Sequence, residues 1–565
     1  MKSVLVKKIT CYLLVALFLL AQVAFAKEPT QTATHPVDGP MKFNAGQIVV
    51  KLKEGISKSK MQSLLRAGDV SILDERGDFG LTLLSVPKGQ ELEKAEELMR
   101  SPSVEYAEPN YIVQAASSIK VDSLYNLHAL DVEPNDPYYP GQWNLHKINA
   151  PTGWDITTGS SKVVIAILST GVDPDHDELK EKIWTNSNEV PGNGIDDDGN
   201  GYVDDVHGWD FILENWDNEP WDDRGNGTFA AAVAAAETNN GVGLAGVSWG
   251  ARIMPIKVLD FNGGGDIYEI TSAIRYAADN GARVLLLDFI VFDYSHTLEA
   301  FIDDAYKKGA LVIAPMGDCA EGGQFCRELI NPVLYPAAFP HVLAVAATDQ
   351  NDEHYFISGH KSYSDIAAPG VNILGGHLAS GYGRMSSTHA ASPHVAGLAA
   401  LVWSVNPTLT PDEVESIIEG TAVDLGEPGW DEYFGHGRID ANAAVRATPH
   451  YLEVEPDEGL YFLVCDNCDP SPQKIINPNT GCCTWSATAT ANWLSIGLCE
   501  GYTPSSVEVS VDRDNLSGYG LYSEVITVTS EMTNYVNNPK TIPAIVNYAP
   551  QCWRNYLPLL FKDSH

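Results

Sequence analysis

The run of side-chain oxygens between Asp196 and Asp205 is the clearest indication of a cation site in this sequence. The segment reads Asp-Asp-Asp-Gly-Asn-Gly-Tyr-Val-Asp-Asp. Oxygen side chains at alternating positions, a glycine at the sixth and a carbonyl at the seventh match the ligand spacing of a calcium loop. Position twelve is His207 rather than Glu, so the loop is not a complete EF-hand, and a solvated acidic turn is the alternative. The expected Ca²⁺ ligands are Asp196, Asp198, Asn200, the Tyr202 carbonyl and Asp204 or Asp205.

The overall charge excludes several classes of partner. Among 565 residues, Lys and Arg total 36 and Asp and Glu total 74, which gives a net charge of −38. No basic surplus is available to neutralise phosphates, so nucleic acid is excluded as a partner. A polybasic contact with a lipid surface is excluded for the same reason. With 44% hydrophobic and 19% charged residues, the composition is that of a globular protein.

Residues 1–26 have the pattern of a secretory signal peptide. Lys2, Lys7 and Lys8 precede an apolar run, and Ala24-Phe25-Ala26 is a small-x-small cleavage site. The run is too short to span a bilayer comfortably, and no later apolar run reaches ~18 residues. We therefore expect a secreted protein, extracellular or at the cell surface, with no membrane span after cleavage.

Eight of the nine cysteines remain after that cleavage, and an even number in an exported chain indicates disulfides. Cys319 and Cys326 lie close together in the middle of the chain. A zinc half-site at Cys465 and Cys468 is the alternative for that pair, but no second C-x-x-C pair or nearby histidine supports it. Pairing among the C-terminal six stays open: Cys465, Cys468, Cys482, Cys483, Cys499 and Cys552.

A small α+β unit is predicted for residues 43–114, between linkers at residues 27–42 and 115–142. GQIVVKL and LTLLSVP have the pattern of strands, whereas KSKMQSLLRA and GQELEKAEELMRS have the spacing of amphipathic helices. The segment VEYAEPNYIV is predicted to be a strand pair interrupted by a turn.

Residues 143–447 are predicted to form an α/β domain with a doubly wound parallel sheet. Continuous apolar strands such as KVVIAILS and ALVIAPM alternate with helical stretches, which requires a sheet covered on both faces. Active sites in such folds lie at the carboxyl ends of the strands. Residues 448–548 change to short alternating strands, which predicts an all-β sandwich, and residues 549–565 form a C-terminal tail.

Four segments of the α/β domain strongly resemble the subtilisin-like serine proteases. They are AILSTGVDPDHDEL, RGNGTFAAAVAAAETNNGVGLAGV, IAPMGD and SSTHAASPHVAGLAAL. The resemblance covers residues 143–447, and residues 43–114 look like the inhibitory propeptide of the same family. It implies a subtilisin-like fold with the propeptide-like domain docked against it in cis.

Each position that carries chemistry in that family holds another residue here. The Asp of the pattern D-[ST]-G corresponds to Ser169, the His of H-G-T-H to Asn226, and the nucleophile of G-T-S-M-A-x-P to His389. The oxyanion-hole Asn corresponds to Asp318. Acyl transfer by this route needs a hydroxyl, a base and an orienting carboxylate, and a negative charge repels a developing oxyanion. The resemblance therefore implies a pseudoprotease.

The substrate cleft implied by the resemblance is altered as well. Its peptide-binding strand, S-L-G in the family, reads Asp288-Phe289-Ile290, while the opposing Gly263-Gly264-Gly265 is kept. A β-branched Ile290 in place of glycine, together with a charge at Asp288, is expected to clash with an extended peptide. A cleft that has lost its role and a cleft rebuilt for another ligand both remain open.

A second calcium site is implied by the resemblance alone. The segment from Thr238 to Leu244 looks like the structural calcium loop of the family, and Glu178 stands where its acidic partner would be. The ligands implied are the Asn240 side chain, the Glu178 carboxylate and the carbonyls of Thr238, Val242 and Leu244.

These patterns predict a secreted, calcium-stabilised protein of subtilisin-like fold without peptidase activity. Its expected role is to bind or scaffold a peptide, protein or glycan through the cleft or the sandwich, which resembles BACON-type domains in NWLSI and SVEVSVD. The alternatives are an active serine endopeptidase that uses non-standard residues and a purely structural surface protein.

Overall fold

The computed structural model describes residues 42–53, 70–74, 81–115, 120–121, 134–213, 215–451, 454–456, 458–465, 471–477, 485–497, 505–530 and 539–549. The predicted signal peptide, the helix predicted for KSKMQSLLRA and most of the predicted C-terminal tail lie outside these ranges. Within the described ranges, no helix is both long and apolar enough to cross a membrane.

The N-terminal part is an antiparallel sheet with one helix packed on it. Its elements are β1 (Phe43–Leu52), β2 (Ser71–Asp74), β3 (Leu81–Ser85), α1 (Glu91–Met99) and β4 (Val104–Gln114). The strand order is β2-β3-β1-β4. Alternate residues of β1 and β3, including Ile48, Val50 and Leu84, pack with Ala95 and Leu98 of α1 into a small core.

The prediction of a strand pair in VEYAEPNYIV is wrong, because β4 is one continuous strand. Pro109 has no N–H to donate to a ladder. The register of β1 against β4 shifts between Phe43 and Ile48, the partners of Tyr111 and Pro109, so the missing donor coincides with an irregularity in the pairing. The unbroken strand carries the chain directly to the central domain.

The central domain is built on a seven-stranded parallel sheet, as the alternating pattern predicted. Its strands are β6 (Val164–Ser169), β7 (Trp209–Asp210), β8 (Arg252–Lys257), β10 (Val284–Leu287), β11 (Leu311–Pro315), β12 (Val342–Thr348) and β13 (Ile366–Pro369). The order is β13-β12-β11-β10-β6-β8-β7. Because β6 lies between β10 and β8, the strand order reverses at β6, and the carboxyl ends of these strands frame the cleft.

Two of the helices in this domain are buried over their whole length. The described helices are α2 (Trp143–Lys147), α3 (Ala150–Trp154), α4 (Asn226–Ala235), α5 (Ile267–Asp279), α6 (His296–Lys307), α7 (Thr388–Val405), α8 (Pro411–Gly420) and α9 (Ala441–Ala447). Every residue of α4 and α7 is buried, which explains why both are Ala- and Val-rich on all sides. Their first turns are therefore held rigidly at the cleft.

Three short strands complete the walls of the cleft. They are β5 (Lys120–Val121), β9 (Gly264–Asp266) and the hairpin of β14 (Ile373–His377) with β15 (Gly381–Met385). The β9 strand pairs with β4, and β5 pairs with β15.

The C-terminal part consists of two sheets around a separate apolar core. Its strands are β16 (Leu460–Cys465), β17 (Gln473–Asn477), β18 (Trp485–Thr488), β19 (Leu494–Ile496), β20 (Ser505–Val511), β21 (Gly520–Ser530) and β22 (Lys540–Ala549). The sheet orders are β16-β22-β21-β18 and β17-β20-β19. Phe462, Trp485, Val509, Ile526 and Val546 lie in the core that the two sheets share.

Candidate functional site: a cleft filled by its own chain, and an acidic loop

The fold keeps the frame of a catalytic site although its side chains differ. Ser169 is the last residue of β6, Asn226 is the first residue of α4 and His389 is the second residue of α7. Asp318 follows the end of β11. The ends of parallel strands and the starts of buried helices thus bring together the four positions that the sequence singled out.

Asp288 lies between Ser169 and His389 and binds both. Ser169 Oγ donates to Asp288 Oδ2 at 2.9 Å, and His389 Nδ1 lies 2.7 Å from Asp288 Oδ1. None of the three residues is more than 2% exposed. In a serine protease triad the imidazole sits between hydroxyl and carboxylate. Here the carboxylate has the middle place, so the hydroxyl proton is directed to Asp288 and not to His389.

This buried group retains a proton near neutral pH. Burial alone would lower the pKa of His389, but the hydrogen bond and charge of Asp288 outweigh it and raise that pKa. Burial also raises the pKa of Asp288, against the lowering effect of its His389 and Ser169 hydrogen bonds. Both directions keep one proton between the ring nitrogen and the carboxylate, which makes His389 a poor base.

Asp318 binds the start of α7 instead of offering a donor to the cleft. Ser387 Oγ donates to Asp318 Oδ2, and the Thr388 N–H donates to Oδ1 at 2.8 Å. A helix N-terminus favours a negative charge, which explains how this carboxylate is accommodated. The His389 N–H donates to Ser387 Oγ at 3.0 Å. A carboxylate and an already bonded N–H therefore occupy the place where an oxyanion needs donors.

Asn226 has a partner for only one end of its amide. Its Oδ1 accepts a hydrogen bond from Arg224 Nε at 3.2 Å. The buried Nδ2 has no hydrogen-bond partner among the described residues. An amide cannot accept a proton near neutral pH, so this position supplies no general base.

The end of β4 lies in the cleft as an extended chain bonded on both sides. On one side it pairs antiparallel with β9, with Val113 opposite Gly265 and Gln114 opposite Gly264. The Ala115 N–H donates to the Gly263 carbonyl at 2.8 Å. A Cβ on Gly265 would lie 2.2 Å from a backbone carbonyl oxygen, so this wall of the cleft requires glycine there.

On the other side, the expectation that Asp288 and Ile290 exclude an extended peptide is wrong. The Gln114 N–H donates to the Ile290 carbonyl at 3.1 Å, and the Ile290 N–H donates to the Gln114 carbonyl at 2.9 Å. The Ile290 side chain packs away from Gln114 with Cys319, Cys326 and Leu334. A β-branched residue favours extended backbone, and Ser169 and His389 satisfy the Asp288 carboxylate, so neither residue obstructs the chain.

The same chain is bound again beyond His389. Lys120 pairs with Arg384 and Val121 pairs with Gly383, antiparallel, on the strand that leads into α7. Residues 116–119 lie outside the described residues. The chain is thus held on both sides of the position where a protease would cut it.

Two helices of the central domain bind polar side chains of the N-terminal part. The Glu108 carboxylate accepts hydrogen bonds from Ser295 Oγ at 2.6 Å and from the N–H groups of His296 and Thr297 at 3.0 and 3.1 Å, at the start of α6. Asp266 caps α5, and its Oδ2 accepts from Asn110 Nδ2 at 2.9 Å. Sequence reasoning did not single out Glu108, because a carboxylate in a strand carries no signal of the helix that it caps.

The acidic loop brings three carboxylates together. Oxygens of Glu189, Asp198 and Asp205 lie within 4.8 Å of one another. Glu189 Oε2 is buried and has no hydrogen-bond partner among the described residues. Asp205 is fully buried, and this burial raises its pKa to about 6. Three carboxylates without a buried cationic side chain are a donor set that suits a hard cation such as Ca²⁺.

The structure divides the predicted loop ligands into two groups. Asp198, Asn200 and Asp205 meet, since Asn200 Nδ2 donates to both carboxylates. Asp196 instead accepts N–H groups of residues 199–201, and Asp204 accepts those of residues 193 and 194, so both shape the backbone. The Tyr202 ring packs against Trp209 and Tyr276 beneath the loop. Glu189 was missed because it precedes the calcium-like spacing.

The second loop closes around carboxylates that are already satisfied. Glu178 accepts hydrogen bonds from the Leu244 N–H at 2.8 Å, from Asn240 Nδ2 at 3.1 Å and from Tyr382 at 3.0 Å. Burial raises the pKa of Glu178 to about 7. Asp136, which sequence reasoning missed, accepts from the Asn240 N–H at 3.1 Å. The Val242 N–H donates to Asn240 Oδ1, and Thr238 Oγ1 donates within the chain. These contacts bind the loop without a cation.

Cys319 and Cys326 form a disulfide, with their Cα atoms 5.5 Å apart. It closes a short loop beside Ile290. The pairing of the other cysteines rests on residues outside the described ranges.

Comparison with known proteins adds an identity to this geometry. The model of the subtilase family, peptidase S8, matches residues 160–437, and the fervidolysin N-terminal prodomain matches residues 29–110. The thermophilic serine proteinase of Bacillus sp. (strain AK1) is 34% identical over 403 residues, 71% of this chain and 87% of that protein. Thermitase of Thermoactinomyces vulgaris is 35% identical over 314 residues, 55% of this chain and 99% of that protein. The halolysin-like extracellular serine protease Nep of Natrialba magadii is 29% identical over 417 residues, 73% of this chain and 68% of that protein.

The chain belongs to the subtilase family. The N-terminal part of this subtilase is its prodomain, and β4 and β9 join the two. The curated relatives are named as proteinases or proteases, and Nep as extracellular. The residues at the cleft centre are what separate this subtilase from a protease triad.

Proposed function

We propose that this subtilase is a secreted protein that does not hydrolyse peptide bonds and that keeps its prodomain in its cleft. The observation that carries the proposal is the order of groups at the cleft centre, with Asp288 between Ser169 and His389. No imidazole is placed to take a proton from a hydroxyl. Loss of a whole triad costs a subtilisin about 10⁶-fold in turnover with its oxyanion hole intact, and here Asp318 removes that support as well.

The occupied cleft supports a role outside catalysis. Hydrogen bonds to Gly263 and Ile290 on one side, and the pairing of β5 with β15 on the other, use the backbone groups that would bind another peptide. Without self-cleavage the prodomain stays covalently attached, and any peptide ligand competes with a tethered segment of the same chain. We therefore place binding or scaffolding of a protein or glycan on the C-terminal BACON-like part rather than in the cleft.

Calcium is proposed to stabilise the acidic loop. Glu189, Asp198 and Asp205 would hold the ion, with Asn200 beside them. The ion would neutralise three carboxylates that otherwise repel one another, and it would bind only the folded loop. The buried, unpartnered Glu189 Oε2 supports this assignment.

An active endopeptidase with non-standard residues is the second candidate. It is supported by the active relatives and by the preserved frame at the cleft. It would need a hydroxyl with a free base beside it, and the hydrogen bond from Ser169 to Asp288 argues against that.

The deciding experiment asks whether the chain cuts itself. The full precursor is secreted from a protease-deficient host, sequenced from its N-terminus and treated with a fluorophosphonate probe. We expect a start near Lys27 and no labelling above a denatured control. A labelled serine, or a single start within residues 115–142 formed at a rate independent of protein concentration, would overturn the proposal.

A restored variant makes a negative result informative. It combines Ser169→Asp, Asn226→His, Asp288→Ser, Asp318→Asn and His389→Ser. Appearance of labelling and of a start within residues 115–142 in this variant alone would show that the assay detects processing in this frame.

A further inference from the structure

The two outer faces of the C-terminal sheets differ in polarity. In each sheet alternate residues point into the shared core, so the residues between them point outward. On the β17-β20-β19 sheet the outward residues are mostly polar: Lys474 lies opposite Glu508, and Ser495 lies opposite Ser510. Partly buried Ile476 is the apolar exception. A solvated outer face normally looks like this one.

The outer face of the β16-β22-β21-β18 sheet is apolar in its middle strands. Leu521 is 64% exposed and Val525 is 52% exposed, both on β21. Pro543 lies opposite Val525 on β22, and Ile545 lies two residues further along the same face. Leu463 of β16 is two residues from the partner of Ile545 in the parallel register. We call these five residues the apolar face. Contiguous apolar side chains on an outer sheet surface indicate a binding partner.

The chain leaves this sheet with a segment whose composition matches the apolar face. β22 ends at Ala549, and residues 550–565 follow it, outside the described residues. Six of these sixteen residues are large and apolar: Trp553, Tyr556, Leu557, Leu559, Leu560 and Phe561. The segment contains one acidic residue, Asp563, in a chain that carries a large excess of acids. It thus lacks the charge that would keep it away from an apolar surface.

The length of the segment also fits. Sixteen residues reach at most about 55 Å, while the ten residues of β22 extend about 34 Å. After a turn next to Ala549, the segment is long enough to run back over the whole face. We propose that residues 550–565 fold back onto the apolar face and form the outer layer of the C-terminal sheets.

The test compares the full chain with a chain that ends at Ala549. A fluorescently labelled peptide of residues 550–565, carrying Cys552→Ser, is titrated into both, and binding is followed by fluorescence anisotropy. We expect saturable binding to the shortened chain, and at least tenfold weaker binding to the full chain, whose own segment competes. The double variant Leu521→Glu with Val525→Glu, in the shortened chain, should also bind at least tenfold more weakly.

Matched controls separate docking from misfolding. The double variant Ser506→Glu with Ser510→Glu adds the same charges to the polar outer face and should bind the peptide like the unmodified shortened chain. If the charged variant of the apolar face does not fold, the milder Leu521→Ser with Val525→Thr replaces it.

Three outcomes would overturn the proposal. The first is no binding of the peptide to the shortened chain. The second is a dimer of the full chain that Leu521→Glu abolishes, which would make a second copy the occupant. The third is co-sedimentation of the full chain, but not of the shortened one, with phosphatidylcholine vesicles, which would make the segment a lipid anchor.

Discussion

The cleft centre and the acidic loop have retained different properties. At the cleft the backbone frame survives and the reactive groups are gone: strand ends and helix starts still converge, but on Ser169, Asp288 and His389. In the acidic loop the functional groups themselves survive, because Glu189, Asp198 and Asp205 still meet with an unpartnered buried oxygen.

The difference teaches which property depends on packing and which on individual side chains. The cleft frame depends on buried helices such as α4 and α7, whose every residue packs in the interior. Changing Ser169, Asn226 or His389 leaves that packing nearly intact. A cation site has no such independent support, since it exists only while its oxygens are present. Retained carboxylates in the loop are therefore stronger evidence of use than a retained frame at the cleft.

The largest expected effect comes from breaking the group at the cleft centre. Asp288→Ala leaves His389 buried without its partner, and removing one member of a buried pair costs about 3–5 kcal/mol. Urea unfolding followed by fluorescence measures this loss. The matched control is Asp303→Ala, which breaks an exposed pair with Lys307 and should cost less than about 1 kcal/mol. Equal losses in both variants would show that the buried group contributes no more than a surface pair.

The next effect is that of calcium on thermal stability. Free Ca²⁺ at 100 times its Kd is expected to stabilise the protein by about 2.7 kcal/mol. A chelator, or Glu189→Gln in calcium, should abolish that gain in melting temperature by scanning calorimetry. The exposed Glu353→Gln is the control and should keep it. A melting temperature indifferent to calcium would reduce the loop to an acidic turn.

A smaller effect is expected where the prodomain meets α6. Glu108→Gln keeps the shape of the side chain but removes the charge that favours the helix N-terminus, at a cost of about 1 kcal/mol. Glu105→Gln, on the exposed face of the same strand, is the matched control. Amide exchange of residues 104–114 should quicken in the first variant only. No difference between the two would mean that the neutral hydrogen bonds alone hold the strand.

The smallest effect is a pH dependence at the cleft centre. The raised pKa of His389, caused by Asp288 against the opposing effect of burial, stabilises the fold fully below the unfolded value of about 6.5. That stabilisation is lost as pH rises through the folded value. The difference in urea midpoint between the unmodified chain and His389→Phe should therefore be larger at pH 6 than at pH 9. A difference that does not change with pH would contradict the charged pair.

The sequence by itself determined the parts of this protein that follow from local pattern. Apolar runs such as those of β6 and β11 predicted buried parallel strands, because only a sheet covered on both faces hides them. The motif frames located Ser169, Asn226, Asp318 and His389, because chain order fixes which residue ends a strand or starts a helix.

Only the tertiary structure decided what those residues touch. Asp288 is 101 positions from His389 and 119 from Ser169, and no local pattern predicts that it binds both. The direction of the Ile290 side chain, which reversed the expected clash, depends on the space left beside the disulfide loop. Glu189 joins the acidic loop through a backbone turn outside the ligand spacing. Such contacts depend on the summed packing of distant segments, and side-chain direction is a product of that packing rather than of residue type.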